Sequence, residues 1–160
     1  MIHLHGQAQS KKFPYGLQEF KNIEQIEYCV PLPLQEFREK SGMERAHHSF
    51  VHKKEAHVRI DLRGYYCDDT KITLEKLFAQ SYPATEEESG KIITKKEILK
   101  DRNCFYALGY YNNFIYKYAF FEINWVHKEE VVVLEIHYPI KQKKLWMQRL
   151  QAIIQYAGCS

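Results

Sequence analysis

Residues 104–123 read CFYALGYYNNFIYKYAFFEI, and this stretch decides the fold. Two runs rich in aromatic residues flank Asn112-Asn113, and asparagine accepts the positive φ of a tight two-residue turn. The pattern therefore predicts an antiparallel hairpin. With this turn, Tyr111 pairs with Phe114, Gly109 with Tyr116, Ala107 with Tyr118 and Phe105 with Phe120. Because both faces of the hairpin are apolar, we expect the sheet to be covered on both sides.

Four further strands are predicted around the hairpin. Residues 56–63 alternate between apolar and polar side chains, which is typical of a half-buried strand, and Gly64 ends it. Residues 131–138 are rich in β-branched side chains and indicate a central strand, which ends at Pro139. Residues 26–32 and 91–99 are predicted to form the other two strands.

Helical spacing of apolar residues predicts three helices. Residues 73–80 form one, and residues 143–157 form a terminal helix with Trp146, Leu150 and Ile153 on its buried side. A short helix is expected over residues 34–41, between Pro33 and Gly42. This order of elements predicts an α+β fold, in which a mainly antiparallel twisted sheet has helices on both faces as a three-layer α/β/α sandwich.

The chain has 160 residues, which is close to the commonest size of one domain. We expect residues 1–12 to be a flexible polar leader and residues 13–160 to be a single α+β domain.

The order of elements resembles the PsbP-like α/β/α sandwich. The resemblance rests on the alternating strand at 57–63, the Leu-rich helix at 73–80, the hairpin, the Val-rich strand ending in Tyr138-Pro139 and the terminal amphipathic helix. That group includes a photosystem II extrinsic protein, a nuclear Ran-binding protein, DcrB-type bacterial lipoproteins and secretion-effector chaperones. The resemblance implies members that mostly bind other proteins and share no catalytic site, so no functional residues are carried over.

The charge pattern argues against nucleic acid as a partner. The formal net charge is +3, from 23 basic and 20 acidic residues that alternate along the chain. The densest basic stretch, Lys141, Lys143 and Lys144, is too short to neutralise many phosphates. No run approaches the length of about 18 apolar residues that crosses a bilayer, so membrane insertion is not expected. We expect a monomer or homodimer.

Four cysteines, Cys29, Cys67, Cys104 and Cys159, form no C-x-x-C pair. Free thiols and one or two disulfides both stay open, and so does the compartment. Among bacterial locations the periplasm or secretion is slightly favoured, and the cytoplasm is left open.

Catalytic, cofactor and metal sites are not expected. Eight histidines are present, but only His48 and His52 have a helical ligand spacing, and residues 49–51 look like the start of a strand. A Cys104–His137 pair is the one nucleophile–base combination considered, although free cysteines are usually small buried apolar residues. No glycine-rich phosphate loop is present.

The remaining candidate is a binding surface on the aromatic side of the hairpin, formed by Tyr111, Phe114, Tyr116 and Tyr118. Aromatic residues on a sheet are normally core, but tyrosine hydroxyls need water or a partner and favour interfaces. We therefore expect a non-catalytic protein-binding module, such as an extracytoplasmic bacterial protein, a secretion-system chaperone or an immunity partner. The alternative is a metal- or small-ligand-binding protein, or a hydrolase, that uses the N-terminal histidines.

Overall fold

The computed structural model describes residues 17–21, 27–40, 47–67, 72–82, 90–111, 118–156 and 158–159. The strands in these ranges are β1 (Leu17–Lys21), β2 (Glu27–Pro31), β3 (Phe37–Glu39), β4 (His47–His52), β5 (Arg59–Tyr66), β6 (Lys91–Leu99), β7 (Cys104–Tyr111), β8 (Tyr118–His127), β9 (Glu130–Pro139) and β10 (Gly158–Cys159). The helices are α1 (Leu74–Ser81) and α2 (Lys143–Tyr156).

Two sheets are present in the described part of the chain. Seven strands form the large sheet, in the order β3-β4-β5-β9-β8-β7-β6, and every neighbouring pair is antiparallel. The small sheet has the order β1-β2-β10. Strand β9 lies at the centre of the large sheet and is buried along its whole length, as its Val-rich sequence predicted. The predicted α+β class and antiparallel sheet are confirmed.

One face of the large sheet packs against α2, and we call it the α2 face. Its core contains Leu134, Ile136 and Tyr138 of β9 together with Trp146 and Leu150 of α2. The Tyr138 and Trp146 rings stack with centroids 5.6 Å apart. The apolar residues predicted for the terminal helix are therefore buried.

The opposite face, the α1 face, packs against α1 over part of its area. The helix begins after Thr73, whose hydroxyl accepts a hydrogen bond from the backbone N–H of Lys76 at 3.1 Å. Leu77 of α1 is buried with Phe105 and Val133. The two helices thus contact opposite faces, while the complete three-layer sandwich stays a prediction.

The predicted hairpin exists, but its predicted register is wrong. Gly109 pairs with Phe120 instead of Tyr116, and Ala107 pairs with Glu122 instead of Tyr118. The observed register places Tyr106 opposite Ile123 and Cys104 opposite Trp125, whereas the predicted one would place Ile123 and Trp125 opposite Arg102 and Lys100. Burial of these apolar pairs decides the register.

The two registers differ by four residues along β8, and an even shift keeps every side chain on its predicted face. The predicted turn at Asn112-Asn113 lies outside the described residues.

Two other predictions about the elements need correction. The helix expected over residues 34–41 is a single 3-10 turn at Leu34–Glu36 followed by β3, because Phe37 is buried and pairs with His52. The strand expected over residues 56–63 is β5, which begins at Arg59 and continues through Gly64 to Tyr66. Strands β1 and β10 were not predicted, and β4 was indicated only by residues 49–51.

Candidate functional site

A charged cluster occupies the part of the α1 face beyond the apolar contacts of α1, and we call it the charged half. It consists of Arg59, Asp61, Arg63, Lys91, Tyr111, Glu122, Glu135 and His137. The charged half arises from a change of residue type along β9. Val131 and Val133 face α1, and the next two residues on the same face are Glu135 and His137. One strand therefore supplies both the apolar contact for α1 and the centre of the charged half.

Three carboxylates lie side by side across the sheet. Glu135 of β9 pairs directly with Asp61 of β5 on one side and with Glu122 of β8 on the other. Like charges in directly opposite positions destabilise a sheet, so this row needs neighbouring cations. Arg59, Arg63 and Lys91 supply them.

Glu135 and His137 form the centre of the cluster. The His137 Nε2 atom hydrogen-bonds to the Glu135 carboxylate, and the Arg63 guanidinium donates to the other carboxylate oxygen at 3.5 Å. The Tyr111 ring stacks on the His137 imidazole, with centroids 5.2 Å apart and planes 18° apart. The Tyr111 hydroxyl lies 3.1 Å from His137 Nδ1 and 3.4 Å from Glu135 Oε1. Three elements, β5, β7 and β9, are thereby fixed to one another.

The electrostatics keep Glu135 ionised. Burial by itself would raise the pKa of Glu135, but the hydrogen bond with His137 and the charges of Lys91 and Arg63 together lower this pKa to about 2. Burial, followed by the charge of Glu135, raises the pKa of Tyr111, so its hydroxyl keeps its proton. The centre therefore contains a permanent carboxylate and a neutral phenol at neutral pH.

Lys91 joins the cluster because of a β-bulge in β6. The register of β6 against β7 shifts between Ile93 and Lys95, and this extra residue brings Lys91 to the same face as Ile98. Strand β6 approaches β7 so closely here that a Cβ at Gly109 would come within 1.9 Å of the Ile92 carbonyl oxygen. A glycine is therefore required next to the bulge.

The ammonium group of Lys91 lies 3.8 Å from both Glu122 and Glu135. Glu122 also accepts hydrogen bonds from the Tyr82 hydroxyl at 2.8 Å and from the Asn124 amide at 3.0 Å. Because Tyr82 follows the last residue of α1, these bonds link the charged half to the helix that covers the apolar part of the face.

The outer side of the cluster is formed by β5 and β4. Arg59 binds Asp61 through Nε at 3.3 Å and lies 3.5 Å from His137 Nε2. His47 of β4 lies 3.8 Å from the other oxygen of Asp61. Each carboxylate of the row thus has at least one cationic or hydrogen-bonding neighbour.

The Cys104–His137 pair, which the sequence did not favour, does not form, because Cys104 belongs to the core of the α2 face and His137 lies on the α1 face. Burial raises the pKa of the Cys104 thiol to about 11. Cys29, Cys67 and Cys104 are free thiols. No disulfide between these three cysteines is therefore present.

The structure places the histidine pair His48 and His52 on strand β4 and not on a helix. No group of three or more His, Cys, Asp or Glu residues in the described ranges could hold a metal ion. His3 and His5 lie outside those ranges. None of the helices in the described ranges is long and apolar enough to cross a membrane.

The predicted aromatic surface is only partly described. Tyr111 is half-buried in the network with His137, and Tyr118 is half-buried with its ring 5.7 Å from that of the exposed His57. Phe114 and Tyr116 lie outside the described residues.

Sequence reasoning did not identify Arg59, Arg63, Lys91, Glu122 and Glu135 as site residues. A usable signal was present, because the polar face of β5 alternates basic and acidic side chains while β9 changes from valine to Glu135 and His137 on one face. Two strands with such matching polar segments are good candidates for neighbours in a sheet.

No protein-family model matches the chain, and no curated protein matches its sequence. The solved structures similar to it include two that match over almost their full lengths. The solution structure of cyanobacterial PsbP (CyanoP) from Synechocystis sp. PCC 6803 has a TM-score of 0.58 and 8% identity, covering 90% of this chain and 92% of that chain. The crystal structure of LpqN, involved in cell envelope biogenesis of Mycobacterium tuberculosis, has a TM-score of 0.52 and 12% identity, covering 94% of each chain. The chain therefore has the PsbP-like fold that its order of elements predicted.

Proposed function

We propose that this chain is a non-catalytic protein-binding module and that its partner docks on the charged half of the α1 face. The observation that carries the proposal is the arrangement of Arg59 and Arg63, whose exposed guanidinium groups are held by the carboxylates of Asp61 and Glu135. Arginine and tyrosine are, with tryptophan, the residue types most enriched at the energetic centres of protein interfaces.

Preorganisation strengthens this argument. An arginine side chain loses much conformational entropy when a partner fixes it, and this loss weakens binding. At the charged half, part of the loss has already occurred on folding, because carboxylates beneath the guanidinium groups restrict them. Tyr111 belongs to the network around Glu135 and His137, and Tyr118 lies on the same face beside His57, so the proposal includes both residues of the aromatic surface that the structure describes. Phe114 and Tyr116 remain predicted members.

The proposal takes the fold as a three-layer α/β/α sandwich in which α1 covers the apolar part of its face and the partner contacts the rest. It also places the protein outside the cytoplasm of a bacterium, which the involvement of the structurally similar LpqN in cell envelope biogenesis supports. The proposal has two more specific versions, in which the protein is a secretion-system chaperone or an immunity partner.

Site-specific photocrosslinking in native cells tests the docking surface. Tyr65 is exposed on β5, two residues beyond Arg63 on the same face, and Leu145 is exposed on α2 at the opposite face. With benzoylphenylalanine at position 65, we expect one partner protein to be crosslinked, in an amount comparable to the amount of this chain. With the same residue at position 145, we expect this crosslink to be absent.

Equal crosslinking from positions 65 and 145 would mean that the charged half is not the docking surface. So would a stable protein complex that crosslinks only from position 145. Both variants are exposed-site substitutions, so they should keep the thermal stability of the unmodified chain.

A further inference from the structure

In the charged half, the acidic side chains lie deeper than the basic ones. Three acidic and three basic side chains give no formal net charge, but the acidic ones are the more buried. The side chains of Asp61, Glu122 and Glu135 are 17%, 14% and 11% exposed, whereas those of Arg59, Arg63 and Lys91 are 50%, 44% and 27% exposed. An approaching molecule therefore meets cations first, and the field close to this surface is positive.

The hydrogen-bonding capacity is also unequal. The Glu135 carboxylate is already contacted by His137, Arg63, Lys91 and Tyr111, so its lone pairs are occupied. A guanidinium has five N–H donors, and Arg63 directs one of its nitrogens to Glu135 within this network. The arginines can donate further hydrogen bonds, whereas the buried carboxylates can accept few more. An incoming group that accepts hydrogen bonds and carries negative charge fits this surface.

The spacing of the arginines favours an extended ligand. Arg59 and Arg63 are four residues apart on β5 and so lie on one face, with Cα atoms about 13 Å apart. Two carboxylates on an extended polypeptide reach this separation when they are also about four residues apart. Carboxylate is a planar, bidentate match for guanidinium.

We infer that the charged half recognises an acidic, extended polypeptide segment through Arg59 and Arg63, an inference that rests on the proposed docking function. A nucleic acid fits less well, because only three cations are present and the carboxylate row lies directly beneath them. The inference adds a chemical class of partner to the surface and names the two residues that select it.

Fluorescence polarisation with a fluorescein-labelled decaglutamate peptide tests the inference with the purified chain. We expect saturable binding that weakens as the salt concentration rises. The Arg59→Gln/Arg63→Gln variant should bind about tenfold more weakly or worse, because both fork-shaped donors are lost. The Lys143→Gln/Lys144→Gln variant removes the same charge from exposed positions on α2 and should bind within about twofold of the unmodified chain.

Three results would overturn the inference: no binding of the peptide by the unmodified chain, equal losses in the arginine and lysine variants, or tighter binding of a single-stranded oligonucleotide with the same number of charges. The Arg59→Gln single variant guards against misfolding, since Asp61 keeps His47 as a neighbour there and the melting temperature can be checked. Crosslinking from position 65 uses no acidic peptide, so its success alongside a failed peptide assay would reject the acidic partner and leave the docking proposal in place.

Discussion

Alternate residues of strand β9 serve two different surfaces. On the α2 face, Leu134, Ile136 and Tyr138 pack against Trp146 and Leu150, and apolar contact continues along the strand. On the α1 face, the strand changes halfway from valine to Glu135 and His137. The α2 face therefore contributes a continuous apolar core, whereas the α1 face combines a smaller apolar contact with a network of paired charges.

The largest effect is expected on the α2 face. Leu150→Ala removes a fully buried side chain of α2 and leaves a cavity against the sheet, so the free energy of unfolding should fall by about 2 to 5 kcal/mol. Urea denaturation measures this change.

Leu145→Ala on the same helix is the matched control. Its side chain is exposed, so the loss should be within about 0.5 kcal/mol. Similar small losses for both variants would show that α2 is peripheral and that the two faces do not differ in this way.

The next effect concerns the centre of the charged half. The pKa of Glu135 is lowered from its ordinary value of 4.5 to about 2 in the folded chain. The ionised carboxylate therefore stabilises the fold fully above the unfolded pKa, and this stabilisation is lost as the pH falls towards the folded pKa. Glu135→Gln should cost about 1 to 3 kcal/mol at pH 7 and should flatten the loss of stability between pH 4.5 and about 2. Urea denaturation across this pH range measures both.

Glu39→Gln provides the comparison at an exposed pair. Glu39 contacts His48 at the edge strand β3 with its carboxylate largely in solvent, so its removal should change stability by less than about 0.5 kcal/mol. If the stability of Glu135→Gln falls as steeply with decreasing pH as that of the unmodified chain, the pH dependence belongs to other carboxylates.

The same contrast explains what the sequence could predict. Helices α1 and α2 follow from the helical spacing of apolar residues and strand β9 from its β-branched content, which identify an element without knowledge of its neighbours. The faces of the hairpin were also predictable because side chains alternate along a strand, even though the register was wrong.

The charged half could not be predicted in this way. Asp61, Glu122 and Glu135 come together only through the pairing of β5 with β9 and of β9 with β8, and Lys91 reaches them through a bulge. Register and bulges depend on contacts between residues distant in sequence, so the carboxylates appeared as ordinary surface charges.

A smaller effect is expected at the start of α1. Thr73→Ala removes the hydroxyl that caps the helix and should lower the free energy of unfolding by about 1 kcal/mol. Thr73→Ser keeps the capping oxygen and should be nearly neutral. Because this cap lies outside the charged half, decaglutamate binding should stay unchanged in both variants. Weaker binding in Thr73→Ala at full stability would show that the two parts of the α1 face are not independent.

The smallest effect is expected at the hydroxyl of Tyr111. The Tyr111 ring stacks on His137 and lies 5.5 Å from the Phe120 ring, so truncation to alanine would disturb packing and binding together. Tyr111→Phe removes only the hydroxyl that contacts His137 and Glu135, and the expected loss of stability is about 0.5 to 1 kcal/mol. Tyr110→Phe, at an exposed tyrosine that pairs with Ala119 and faces the other way, should cost less. If the two variants lose the same stability, the contacts of the Tyr111 hydroxyl contribute nothing and His137 is held by ring stacking and Glu135 alone. The other outcome is that only Tyr111→Phe loses stability and binds decaglutamate more weakly, while Tyr110→Phe binds it unchanged. This outcome would show that the buried network positions the arginines that the partner contacts.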